Sequence, residues 1–147
     1  MPLHPDWKEF LLLLNSHGVD YLIVGAHARA LYGVPRYTRD IDIFLRASSD
    51  TAERMLAVLR DFGFGSLDVT AADFLVPGQV IQLGVAPYRI DLLNSLSGLD
   101  FEDAWSDRVL GEIDGVPVAV ISLRAFRKNK LAAGRPKDLA DLSDLIE

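Results

Sequence analysis

Arg39-Asp40-Ile41-Asp42-Ile43-Phe44-Leu45 opens in strict alternation of polar and apolar residues and closes in an apolar run. Side chains two apart on a strand share a face, so Ile41 and Ile43 turn toward a core while Asp40 and Asp42 stand together on the opposite face. Their Cα atoms are then roughly 6.5–7 Å apart, close enough for both carboxylates to reach cations bound between them, and hard oxygen donors suit Mg2+. A solvated strand end carries the same local pattern, so the surroundings decide. They supply a third carboxylate: in Arg89-Ile90-Asp91-Leu92-Leu93, Ile90 and Leu92 share the core face and Asp91 opposes them. If this strand pairs beside the first, three carboxylates converge, which is electrostatically unfavourable unless cations neutralise them. Two divalent ions ~3.5–4 Å apart can activate a hydroxyl and stabilise the leaving oxygen of a phosphate, so the cluster points to phosphoryl-group chemistry.

Upstream, Tyr21-Leu22-Ile23-Val24 has the length and composition of a buried strand, closed by Gly25. Residues 26–32 are rich in helix formers, and Gly33 and Pro35 stop them. A strand-Gly-helix junction admits an anion close to the backbone and offers it the free amides of a helix N-terminus. A phosphate can therefore rest at Val24-Gly25-Ala26, although the same junction is also ordinary packing punctuation.

The 147 residues are half hydrophobic and 24% charged, as expected of one domain spanning residues 1–147. The absence of Cys excludes disulfides, thiolate nucleophiles and Cys-based zinc sites. The longest apolar run, Phe10-Leu11-Leu12-Leu13-Leu14, is far short of the ~20 residues of a membrane helix, and no basic leader precedes it. The expectation is a cytoplasmic protein with no membrane partner. A net charge of −6 argues against non-specific duplex binding by the whole surface. The remaining pattern predicts helices over residues 5–17, 48–62, 99–105, 123–133 and 136–146. In the last of these, Leu139, Leu142, Leu145 and Ile146 share one side. Strands are predicted at residues 67–69, 80–85 and 89–93, two of them able to form a hairpin, and a second hairpin turns at Asp114-Gly115. Without a regular βαβ rhythm, this predicts an α/β (α+β) chain: a mixed β-sheet with helices packed against it.

Taken in order, four features resemble the nucleotidyltransferase superfamily with the DNA polymerase β fold, particularly its small prokaryotic members, including those of toxin–antitoxin modules. Val24-Gly25-Ala26, thirteen intervening residues and Asp40-Ile41-Asp42-Ile43 match the signature. Asp91 matches its later third carboxylate, and Arg36-Tyr37-Thr38-Arg39-Asp40 looks like its Arg-x-Thr lead-in. Lys130-Leu131-Ala132-Ala133-Gly134-Arg135-Pro136-Lys137-Asp138 looks like the C-terminal segment of the small members. The resemblance covers most of the chain and implies a nucleotidyltransferase-like sheet. Asp40 and Asp42 would bind two Mg2+ ions and the phosphates of an NTP substrate, and Asp91 would complete the metal site and activate the acceptor hydroxyl. Transfer of NMP to RNA, protein or a small molecule would release pyrophosphate. The acceptor platform would come from an antitoxin-like partner or from a second copy in a homodimer.

Gly25, Ala26, His27, Arg36, Thr38, Lys130 and Lys137 are the candidate nucleotide-binding residues. His27 begins the helix after Gly25, though a half-exposed helical His is the plainer reading. Arg36 and Arg39 flank the acidic strand, where a phosphate clamp and a local ion pair are both natural. Six basic residues and no acid fall between Arg124 and Lys137, which suits phosphate binding and equally a solvated helix face. Ala26 departs from the family's Gly or Ser, removing a hydroxyl contact to phosphate while keeping the backbone N–H. That departure motivates an alternative, a non-catalytic nucleotide-binding or regulatory module. A metal-dependent phosphohydrolase or nuclease is another, because a carboxylate cluster alone does not choose between water and an alcohol.

Overall fold

The computed structural model describes residues 4–32, 39–64, 68–84 and 88–143. Helix α1 (Pro5–Ser16) starts with Pro in its first turn and with His4 Nδ1 accepting the Asp6 N–H at 3.2 Å. It buries Trp7, Phe10, Leu11 and Leu14. Strand β1 (Tyr21–Val24) is buried along its whole length and runs directly into α2 (Gly25–Tyr32). Then follow β2 (Asp40–Leu45), α3 (Ser49–Leu59), α4 (Ala71–Leu75), β3 (Val80–Leu83), β4 (Arg89–Leu93), α5 (Phe101–Ser106), β5 (Val109–Ile113), β6 (Val116–Val120), α6 (Leu123–Ala133) and α7 (Pro136–Ser143).

The six strands form one mixed sheet in the order β3-β4-β2-β1-β6-β5. The β2/β4 and β1/β6 pairs are parallel and the other three antiparallel. The uniformly apolar Tyr21-Leu22-Ile23-Val24 is central, as a strand buried on both faces should be. The Asp114-Gly115 turn has φ of 48° and 81°, the two positive values a tight hairpin requires. Ile41, Ile43, Ile90 and Leu92 join the core with Met55 and Val58 of α3. Phe44 lies on the Asp40/Asp42 face of β2 but is buried, its ring 5.1 Å from that of Phe101 in α5. One half of that face is thus roofed by α5, and the half bearing the carboxylates stays open.

Three expectations need correction. Asp68 and Val69 do not form a strand, and Leu67 lies outside the described residues. A helix begins just beyond instead, because the Asp73 carboxylate reaches back to accept the Thr70 N–H at 2.8 Å, and Phe74 is buried. The helix expected over residues 48–62 changes character at Arg60, where a wide turn (Arg60–Phe64) takes over, with Gly63 inside it at φ 96°. On α7 the leucine side is not the buried one: Leu139 is 49% exposed, whereas Asp138 and Asp141 are buried. Residues 145 and 146 lie outside the described residues.

Candidate active site

The register brings the three acids together. Asp42 is paired with Asp91 across the parallel β2/β4 ladder and with Val24 across β1/β2. Cross-strand partners point to the same face, so Asp40, Asp42 and Asp91 share one surface at the ends of adjacent strands. Gly25 sits directly against Asp42 with φ +68°; a Cβ there would lie 2.1 Å from Asp42 Oδ2. Glycine is therefore required twice, by backbone conformation and by the approach of the carboxylate. That is a specific reason for Gly25 beyond its role as a strand stop.

The electrostatics follow from this crowding. Burial, then the neighbouring carboxylates of Asp91 and Asp40, push the Asp42 carboxyl up to about 6, with a hydrogen bond to Asp91 acting the same way. Lys137 opposes the shift. Arg89 supplies further positive charge. Its Nε donates to Asp91 Oδ1 at 2.7 Å, and one terminal nitrogen reaches Asp91 Oδ2 at 3.1 Å and Asp40 Oδ2 at 3.3 Å. Arg89 was not singled out from the sequence. The signal was its position two residues before Asp91, which places both on one face of β4.

An all-oxygen donor set at a crowded negative surface suits a hard divalent cation. Asp40 and Asp42 are the groups that could hold one, while the oxygens of Asp91 are taken up by Arg89. Among the described residues no group of three His, Cys, Asp or Glu side chains is arranged to hold a metal ion.

A cavity of about 360 Å³ opens beside Asp40 and Asp42, a size suited to a small-molecule ligand, whereas Asp91, buried and held by Arg89, does not line it. Gly25, Ala26, Asp40, Asp42, Lys130 and Lys137 all line it. Because Gly25 and Ala26 are the first residues of α2, the positive end of that helix borders the cavity. Ser95, Ser97 and Asn129 add polar groups the sequence did not flag; they follow β4 or lie on α6. His27 does not line the cavity. It packs edge-on against Trp7 with ring centres 5.3 Å apart, and burial holds its imidazole pKa below the usual value. Arg36 and Thr38 lie outside the described residues.

The basic stretch is largely neutralised within the fold. Arg124 pairs with Asp107 and Asp103, Lys128 with Asp103, Lys130 with Asp138 and Asp141, and Arg135 with Asp138. Lys137 makes no such pair among the described residues, and its charge acts on Asp42.

No protein-family model matches the sequence, and no curated protein matches it significantly. Among solved structures, the chain is similar to the crystal structure of a putative nucleotidyltransferase, TM1012 from Thermotoga maritima. The TM-score is 0.61 and the identity 18%, over 93% of this chain and 88% of that one. Such a likeness establishes the fold: the chain has a nucleotidyltransferase-like mixed α/β architecture, with six strands and seven α-helices among the described residues.

Proposed function

We propose that the protein is a nucleotidyltransferase, moving an NMP from an NTP to a hydroxyl of RNA, protein or a small molecule. The observation that carries this reading is the joint placement of Asp40, Asp42 and Asp91 on one strand-end surface, against Gly25 and the start of α2. The Ala26 backbone N–H and Lys137 bind the triphosphate at the cavity wall. Asp40 and Asp42 would hold Mg2+, which when bound offsets the negative charge of carboxylates and phosphates. Asp91 accepts the proton of the acceptor hydroxyl as that oxygen bonds to the α-phosphorus. The bond from the α-phosphorus to the bridging oxygen breaks, and its electron pair leaves with pyrophosphate. A macromolecular acceptor would be presented by a partner, antitoxin-like or a second copy of the chain.

Ala26 and the Arg89 contacts favour one second reading, a nucleotide-binding module without turnover. One assay separates the readings: the protein is incubated with Mg2+, each α-labelled NTP, total RNA and cell lysate. Label on a macromolecule supports transfer. Binding without label transfer supports the module, and free NMP or cut RNA supports hydrolysis.

A further inference from the structure

A set of charged side chains is buried between α2, α6 and α7, paired with one another at the wall of the cavity, which Lys130 and Asp141 also line. Asp141 Oδ1 lies 3.1 Å from Arg29 Nε, and its Oδ2 lies 3.3 Å from Lys130 Nζ. The same ammonium is 3.2 Å from Asp138 Oδ1, and Arg135 Nε reaches Asp138 Oδ2 at 2.7 Å. Arg29, Lys130, Asp138 and Asp141 are 5%, 9%, 0% and 2% exposed, and their charges sum to zero. Taking four charges out of water is costly, and packed apolar side chains would join three helices at least as firmly. Stability alone does not account for them.

The array does impose direction. Asp138 and Asp141 are three residues apart and face the same way, so pinning both fixes the rotation of α7. Lys137 precedes Asp138 and lies one turn before Asp141, so its placement at the cavity follows from theirs. Arg29 belongs to the helix whose first residues, Gly25 and Ala26, border the same cavity. The array thus joins the two elements that would face a triphosphate.

We propose that Arg29, Lys130, Asp138 and Asp141 are positioning residues that hold Lys137 and the first turn of α2 in mutual register around a bound triphosphate. This rests on the NTP reading above. In it the Lys130 ammonium, at the cavity wall, is held by the two aspartates and fixes α7 against α6.

The test is calorimetric titration with Mg2+-tripolyphosphate, a base-free probe, and with each Mg2+-NTP. It compares the wild type, Lys137→Met, the paired replacement Arg29→Met/Asp141→Leu, and the triple variant. The paired replacement removes one charge of each sign and leaves Lys130 with Asp138, so it should fold with a wild-type circular dichroism spectrum. We expect about 10-fold weaker binding from Lys137→Met, about the same from the pair, and about 10-fold rather than about 100-fold from the triple variant, because the pair acts through Lys137. Wild-type affinity in the paired variant, or losses that multiply to about 100-fold, overturns the inference alone. Absence of binding by the wild type overturns the nucleotide reading and this inference with it. Should the paired variant not fold, Asp141→Asn is read by the same rule, and loss of folding in both overturns the positioning role.

Discussion

Asp42 is held in a place that disfavours its own ionisation, and removing its charge should make the protein more stable while making it inert. Burial and the adjacent carboxylates push its pKa to about 6, against about 4 in an unfolded chain. Below pH 4 the carboxyl is protonated in both states and contributes nothing. Between pH 4 and 6 the unfolded chain loses this proton first, so folding stability falls as pH rises, and above pH 6 the whole penalty is present. Two pH units correspond to about 3 kcal/mol, which solvent screening at the open face reduces to about 2 kcal/mol. Asp42→Asn keeps the shape that fits against Gly25 and removes the charge. It should therefore raise stability by about 2 kcal/mol at pH 8, or about 6 °C in melting temperature for a chain of this size, with little effect at pH 4. Urea unfolding of both proteins from pH 4 to 8 reads the difference, and label transfer from NTP should be abolished in the same variant. A stability gain that does not depend on pH, or a loss at pH 8, would refute the reasoning.

Gly25→Ala should cost at least about 2 kcal/mol, since it forces both a left-handed alanine and a displaced Asp42 side chain, and it should abolish NTP turnover; urea midpoints and the labelling assay check it, and a neutral substitution would reject the close packing. Arg89→Met removes the cation lying between Asp91 and Asp40, so millimolar Mg2+ should raise its melting temperature at pH 8 more than it raises that of the wild type. Equal Mg2+ shifts in thermal melts would mean that Arg89 does not compete with metal.

The parts of the fold that could be read from the sequence are those whose cause is local. The strand-Gly-helix junction at Gly25, the alternation at Asp40 and Asp42, and the Asp114-Gly115 hairpin each depend on a few neighbouring residues, and the structure contains all three. Asp91 is legible because an acid between apolar strand residues needs an explanation, and the parallel β2/β4 register supplies it. What escaped had distant causes. For the basic stretch around α6 the sequence left a phosphate surface and a solvated helix face equally open, and only the fold shows that Asp103 and Asp107 take up Arg124 and Lys128 while Lys130 and Lys137 line the cavity. The leucines of α7 suggested an apolar contact, yet Arg29 and Lys130 make the acidic face the buried one. At residues 67–69 an apolar pattern resembled a strand, and a capping contact three residues long, Thr70 to Asp73, decided for helix just beyond it.

The central claim is that Asp40, Asp42 and Asp91 act as one cation-binding surface beside a nucleotide. Electron paramagnetic resonance of Mn2+ titrated into the protein with a non-hydrolysable NTP analogue tests it most directly. The account predicts nucleotide-dependent Mn2+ binding that is lost in both Asp40→Asn and Asp42→Asn while each variant remains folded. Mn2+ binding at wild-type affinity in folded Asp42→Asn would contradict it.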